Sequence, residues 1–412
     1  MSNGIEMAET PARKRVALFL DGTWNTVSDN TNVWRLRALC ADRSTDGCRQ
    51  VVYYTKGVGT TFGEKVRGGM FGYGLDQAVI DAYEWLIGVY EPGDEIFIFG
   101  FSRGAYTARS LGGFIAKCGL LKPGAPLGVG QLYDRYRKDE AASTIWKLQE
   151  AHAAGILTPS LEERWMLAYA RTVTIKMIGV WDTVGALGVP FGDIPGISRS
   201  GFQFLHTGLR VSQENAYHAL AIDEHRAAFA PTLWTKKIRD GVPANAIAAP
   251  RPVGSVEQRW FVGAHANVGG GCRSDLLAQI PLRWLMQKAS GHGLTFRADV
   301  EPDPEVLQAP ISDSYAEFMH GAYRRMSKPF QRVIGEPPRP SAGGRDEIVN
   351  ETIDASVFAR WRANADYRPQ NVQDWARRYN VDLHALTSAV FAHNPHAAVP
   401  EASSADAHAP AA

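Results

Sequence analysis

Gly100-Phe101-Ser102-Arg103-Gly104 sets a serine midway between two glycines, directly after an apolar run at 95–99 and directly before a helix-compatible stretch that starts at about residue 103. That is the context a nucleophile elbow needs. On a sharp strand-to-helix turn the serine hydroxyl is exposed, the glycines make room for the neighbouring strand and helix, and the backbone N–H of Arg103 points at the reacting centre. A serine hydroxyl is a weak nucleophile until an imidazole takes its proton, and the imidazole in turn needs a carboxylate to fix its tautomer. On this kind of turn the chain order is Ser, then Asp or Glu, then His.

Of eleven histidines, His265 is the candidate base: it follows an apolar strand at 259–262 and precedes Gly269-Gly270-Gly271, which can shape a tight loop. His292, His320 and His393 lie on segments with no strand before them, and His218 reads as part of a helix face. Asp182 is the candidate acid, because it ends the apolar strand 176–181 and opens Asp182-Thr183-Val184-Gly185. Asp193, on a Pro/Gly loop, and Asp223, in a stretch at 216–226 that reads as helical, are rivals that do not read as following strands. A second oxyanion donor must come from an earlier strand-end loop, and the backbone of Gly22 and Thr23 in Asp21-Gly22-Thr23-Trp24-Asn25 is the candidate. Gly22 has no Cβ to hold the substrate oxygen away. Asp21, Trp24 and Phe101 flank the same loops and are expected to contact substrate. The segment 18–25 also matches the first motif of haloacid-dehalogenase-type phosphatases, but the nucleophilic aspartate position there is Phe19. Ligand spacings of the zinc type are absent, so neither a metal nor an organic cofactor is expected.

The elements that must position these residues are legible as alternation. Apolar runs at 16–20, 51–55, 95–99, 173–180 and 259–262 read as buried strands, and Leu75, Val79, Tyr83, Leu86 and Tyr90 recur at helical steps before Pro92-Gly93 ends the helix. Strands alternating with helices predict an α/β fold with a mainly parallel central sheet flanked by helices, its chemistry on loops at the carboxyl ends of the strands. The expected organisation is a flexible N-terminus at 1–14, a catalytic domain at 15–290 with a helical insertion at 123–171 suited to act as a lid, a C-terminal helical extension at 291–396, and a disordered tail at 397–412. Within the extension, helices are expected at 313–326, 372–379 and 383–391, and a mobile loop at 335–345.

Composition narrows the function class. The 412 residues carry 44 Lys+Arg against 43 Asp+Glu, a net charge of +1, without the basic excess that neutralises nucleic-acid phosphates. With 45% hydrophobic and 21% charged residues the chain can bury a sizeable core. Four cysteines with no C-x-x-C pair are too few for a disulfide framework and point to a reducing compartment. No secretory signal and no run of roughly 18 apolar residues is read, so a soluble protein made in the cytoplasm without Sec export is expected. The forty glycines form no repeat.

Taken in order, Asp21-Gly22-Thr23-Trp24-Asn25, Thr31-Asn32-Val33, Gly100 to Tyr106, Val180-Trp181-Asp182-Thr183-Val184-Gly185, Ala216 to Glu224 and the loop His265 to Gly271 resemble the α/β-hydrolase family that includes bacterial type VI secretion phospholipase effectors, over about 15–290. The resemblance implies an α/β-hydrolase fold and a Ser-Asp-His carboxylic ester hydrolase with phospholipase A activity: Ser102 the nucleophile, Asp182 the acid, His265 the base. It also implies a phospholipid or other acyl-ester substrate, peripheral membrane contact, a secretion spike and an immunity protein as partners, and delivery into a target cell. One departure stands out: the family's His-x-Asp-Val-Gly-Gly-Gly has Asn267 in place of the aspartate. An esterase or acyltransferase acting on small soluble esters, and an inactive hydrolase-fold interaction module, are the alternatives. Trp24, Trp34, Phe62, Phe71, Tyr73, Phe191, Phe202 and Phe204 crowd the loops expected around the serine, which suits an apolar acyl chain as well as core packing.

Overall fold

A computed structural model describes residues 13–22, 30–56, 70–138, 143–156, 158–184, 212–243, 251–272, 275–325, 327–341 and 343–400. The expected flexible N-terminus and tail lie outside these residues, apart from 13–14 and 397–400.

The first half of the chain runs β1 (Lys14–Leu20), α1 (Asn32–Leu39), β2 (Arg49–Thr55), α2 (Met70–Val89), β3 (Glu95–Phe101), α3 (Arg103–Cys118), β4 (Leu120–Leu121), α4 (Val129–Lys138), α5 (Ile145–Ala153), α6 (Leu161–Tyr169), β5 (Ala170–Arg171) and β6 (Ile175–Trp181). The second half runs β7 (Ala216–Ala221), β8 (Thr235–Arg239), β9 (Val256–Phe261), α7 (His265–Gly269), α8 (Gln279–Gly291), α9 (Ser314–Glu317), β10 (Arg339–Ser341), β11 (Gly344–Ile348), β12 (Glu351–Ile353), α10 (Ala355–Ala363), α11 (Gln370–Tyr379), β13 (Val390–Phe391) and β14 (Asn394–Ala398).

The main sheet has the order β14-β13-β12-β9-β7-β6-β3-β1-β2. Every pairing from β2 to β12 is parallel, and β13 and β14 add antiparallel strands at one edge. Strands buried on both faces read as continuous apolar runs, and β1 is buried from Arg15 to Leu20. Val16, Leu18 and Leu20 pack with α2 and α3, whereas Ala17 and Phe19 pack with α1 and α8. This is the expected α/β architecture, a mainly parallel sheet with helices on both faces.

The segment 123–171 carries α4, α5 and α6. Its base is closed by the antiparallel pair of β4 and β5, and Tyr133 and Tyr136 of α4 pack on Phe114 of α3. Arg135 ties α4 to Glu162 and Glu163 of α6.

Four expectations change. The stretch 216–226 is not helical: Ala216–Ala221 is strand β7, buried throughout between β6 and β9. Its Ala/Leu-rich composition suits a helix, and the flanking strands impose the extended form. The 335–345 loop contains the hairpin of β10 and β11, which pairs with β8. Residues 383–391 form turns and strand β13 instead of a helix, and 313–326 resolves into the short α9 followed by a 3-10 segment, Phe318–Arg325. The C-terminal extension therefore supplies α10 and α11 but also three strands of the main sheet, with Trp260, Phe358 and Trp375 in a shared core.

Candidate active site

Ser102 occupies the turn between β3 and α3 with φ 59° and ψ −122°, a left-handed backbone that is costly for a residue with a side chain and persists only when its surroundings enforce it. Its N–H donates to the Trp181 carbonyl at 3.1 Å, and its own carbonyl accepts from Tyr106 at 3.3 Å. A Cβ on Gly100 would lie 2.6 Å from the Gly104 carbonyl carbon, and one on Gly104 would lie 2.6 Å from the Asp21 carbonyl oxygen. Both glycines are thus demanded by backbone crossing backbone, as the elbow reading requires.

Three strand ends converge here. His265 opens α7 just beyond β9, and its Nε2 lies 2.8 Å from Ser102 Oγ. Its Nδ1 lies 2.5 Å from Oδ2 of Asp182, the residue after β6, whose φ of 39° turns the carboxylate across the sheet end. Asp182 Oδ1 accepts from the Ala221 N–H at 3.1 Å. With Nδ1–H donated to the carboxylate, Nε2 keeps the lone pair that faces the serine hydroxyl. The imidazole is flanked by Phe101, tilted at 4.6 Å, and by Phe229, edge-on at 5.0 Å between ring centroids. Burial lowers the His265 imidazole below its ordinary value of 6.5, against the upward pull of Asp182, so the neutral, basic form prevails at neutral pH. Burial by itself would raise the Asp182 carboxyl; the Arg332 guanidinium and His265 override it and hold the group well below its ordinary 3.8.

Arg332 carries no sequence signal. It is fully buried and forms a two-pronged pair with Asp182, Nη1 to Oδ1 at 2.6 Å and Nη2 to Oδ2 at 3.0 Å. Glu224, after β7, accepts from the His265 backbone N–H at 3.3 Å, from Ser314 Oγ at 2.9 Å and from Arg226 Nη2 at 2.7 Å. Burial would raise its carboxyl, but Arg226 outweighs that and brings it to about 2. Arg226 also lies over the Phe229 ring, 3.5 Å from its centroid. In the sequence, Glu224 shows only as the last residue of the Ala216 to Glu224 segment that carries the family resemblance.

The other expected residues fall as follows. Asp223 does follow a strand, since 216–221 is β7, but its carboxylate accepts from the Gly263 N–H at 2.7 Å and the Tyr367 hydroxyl at 3.3 Å, shaping the turn ahead of His265 and leaving the imidazole to Asp182. Asp193 lies outside the described residues. His218, on β7, accepts the Thr183 N–H at 3.0 Å and steadies the loop after Asp182; burial pushes it down to about 3, keeping it neutral. His292 stacks on Tyr217, and His393 faces Glu351. Asp21 is a loop anchor: its carboxylate accepts from Gly22 N–H at 2.8 Å, Thr31 Oγ1 at 2.7 Å and the Tyr54 hydroxyl at 3.0 Å. The Gly22 N–H is thus already bonded to Asp21, against the expectation that it is free to donate to an oxyanion. Thr23 and Trp24 lie outside the described residues. Phe101 is turned inward and buried, wedged between His265 and Gly269, where a Cβ on Gly269 would strike its ring, so it packs against His265, contrary to the expected substrate contact. The Arg103 amide opens α3 directly after Ser102.

Asn267 is buried and fully engaged. Its Oδ1 accepts from the N–H groups of Ala264 at 3.1 Å and Ser312 at 3.0 Å, and its Nδ2 donates to Ser312 Oγ at 3.2 Å and Cys272 Sγ at 3.4 Å. The amide orders the loop after His265 without introducing a charge. Among the described residues, no group of three or more His, Cys, Asp or Glu is arranged to hold a metal ion, and no helix is long and apolar enough to cross a membrane.

The catalytic domain of Tle1-like phospholipase effectors of the type VI secretion system matches residues 14–288. A protein of Saccharomyces cerevisiae described as uncharacterized protein YEL023C is 29% identical over 242 residues, covering 54% of this chain and 33% of that protein. Two solved structures are similar at low level. The Tle1 effector bound to the VgrG spike has 18% identity and a TM-score of 0.34, over 64% of this chain and 52% of that one. An uncharacterized protein from Pseudomonas aeruginosa has 15% identity and a TM-score of 0.36, over 77% and 51%. The chain spans about a third of the yeast protein and about half of each solved chain. With more than half of its length matched, the protein belongs to the family of Tle1-like type VI secretion phospholipase effectors through their catalytic domain.

Proposed function

We propose that the protein is a serine carboxylic ester hydrolase that removes acyl chains from phospholipids and acts as a type VI secretion effector. The observation that carries the chemistry is the continuous hydrogen-bonded chain from Ser102 Oγ through His265 to Asp182, at 2.8 and 2.5 Å, with the serine on a left-handed turn. Ser102 Oγ attacks the ester carbonyl while its proton passes to His265 Nε2. Asp182 stabilises the imidazolium that forms. The oxyanion is held by the Arg103 amide, and by the sequence reading Thr23 is the second donor now that Gly22 is engaged with Asp21. His265 then returns the proton to the departing alkoxide as the acyl-enzyme forms. Water, deprotonated by the same histidine, attacks the acyl-enzyme and releases the fatty acid and free Ser102.

Family membership supports a lipid substrate; a secretion spike as carrier, an immunity protein in the producing cell and peripheral contact with the target membrane belong to the same reading. The organisation proposed with it is a catalytic domain at 15–290 whose 123–171 insertion covers the serine, completed by the C-terminal segment. Hydrolysis of long-chain phospholipid vesicles and of p-nitrophenyl acetate, each with the native chain and with Ser102→Ala, tests it. Preference for the vesicles, abolished by the substitution, is the expected result. Equal or better turnover of the short ester would move the reading to a small-ester hydrolase, and activity that survives Ser102→Ala would overturn the triad.

A further inference from the structure

We propose that Arg332 is a positioning residue of the triad, so that the C-terminal segment beyond the matched catalytic domain is a working part of the active site. The inference rests on the Ser102–His265–Asp182 reading.

Arg332 lies outside residues 14–288, on the stretch between the Phe318–Arg325 turn and β10. Its guanidinium does more than face Asp182. Nη1 also donates to the Ala221 carbonyl at 2.8 Å, and Nη2 to the Phe229 carbonyl at 2.6 Å. One planar fork therefore joins the end of β6, the end of β7 and the turn whose phenyl ring packs edge-on against His265. The stretch that carries it is clasped to the same region, with Phe330 N–H donating to the His225 carbonyl at 2.8 Å and the Phe330 carbonyl 3.1 Å from His225 Nδ1. A guanidinium offers two parallel donors in fixed geometry, which a carboxylate matches and an ammonium does not.

The charges around the acid divide cleanly. Asp182 faces Arg332 and His265 directly, with His218 neutral behind the following residue. His265 also lies near Arg226 and Glu224, which are paired with each other. Among the described residues Arg332 is the cation bonded to Asp182. A buried cation favours the ionised carboxylate, so its removal lets the Asp182–His265 pair take up a proton at higher pH. The acid limb of the kcat/KM profile then moves upward, and the carboxylate loses the geometry that aims Nε2 at the serine.

The test is kcat and KM across pH on a soluble p-nitrophenyl ester, with thermal melts, for the native chain and Arg332→Gln, Arg332→Lys and Ser102→Ala. Arg332→Gln is expected to lower kcat by roughly 100-fold, the scale of a displacement of about 1 Å, to leave KM little changed, and to move the acid limb up. Arg332→Lys restores the charge without the fork, so its acid limb returns toward the native position while kcat stays depressed. A folded Arg332→Gln chain with native kcat and an unmoved limb overturns the proposal, as does a lowered kcat with an unmoved limb, which a purely structural role would produce. Should the glutamine variant not fold, the lysine variant decides: native kcat there also overturns it. Activity in Ser102→Ala would instead sink the triad itself.

Discussion

Asp182→Asn is the perturbation whose consequence the geometry defines most closely. Oδ1 of Asp182 accepts from Arg332 Nη1 and the Ala221 N–H, and Oδ2 accepts from Arg332 Nη2 and His265 Nδ1. An amide nitrogen at the Oδ1 position would face two fixed donors. At the Oδ2 position it faces one fixed donor and an imidazole nitrogen that can change role. The second orientation wins, because histidine can surrender its Nδ1 proton whereas arginine and a backbone amide cannot. Nδ1 then accepts, the proton moves to Nε2, and the base presents a hydrogen to Ser102 where it needs a lone pair. Loss of the correct tautomer costs about 10⁴ in kcat, or ~5 kcal/mol of transition-state stabilisation. A second effect is separable: Arg332 is left buried without its counter-charge, which costs about 3–5 kcal/mol of stability. The assay is kcat on a soluble ester at a temperature where circular dichroism reports both chains folded, with the melting temperature measured alongside. A variant that keeps kcat within tenfold of native while folded, or whose melting temperature is unchanged, would refute the reasoning: the first outcome removes Asp182 as the acid, and the second removes the buried pair as a stabilising contact.

Two further outcomes follow from the same contacts. Gly104→Ala puts a methyl group within 2.6 Å of the Asp21 carbonyl oxygen, so β1 and α3 must separate; a lowered melting temperature and lost esterase activity are expected, and a variant with native values would show that the elbow tolerates a side chain. Stability should fall as pH drops from 6.5 toward 3, because His218 is pushed down to about 3 in the fold and the unfolded chain, ordinarily titrating near 6.5, binds the extra proton across that window. His218→Gln should flatten that part of the melting-temperature profile, and an unchanged slope would exclude His218 as its source.

Local pattern carried much of the molecule. Continuous apolar runs revealed the strands at 16–20 and 95–99 because strands buried on both faces have no polar side to interrupt them, while the run at 51–55 is the half-exposed edge strand β2. The elbow was legible because Gly100 answers the steric demand of its own turn, and Asp182 and His265 because both stand just beyond a buried strand. Where burial is complete and the residues are small, that signal fails: Ala216–Ala221 reads as helix by composition and is held extended only by β6 and β9. The two-residue β13 is too short to show any period and exists because β12 offers it an edge.

The site divides along the same line. Sequence by itself picked out Ser102, Asp182 and His265, since each sits beside its own strand or turn. Tertiary structure decided what holds them: Arg332 reaches Asp182 from 150 residues away, Asp21 turns out to engage the Gly22 N–H, and Phe101 faces the histidine. The physical reason is range. Backbone sterics and strand burial act between near neighbours and leave periodic marks, whereas a buried ion pair needs only two charged groups to meet in space, and one arginine among many carries no mark of its partner.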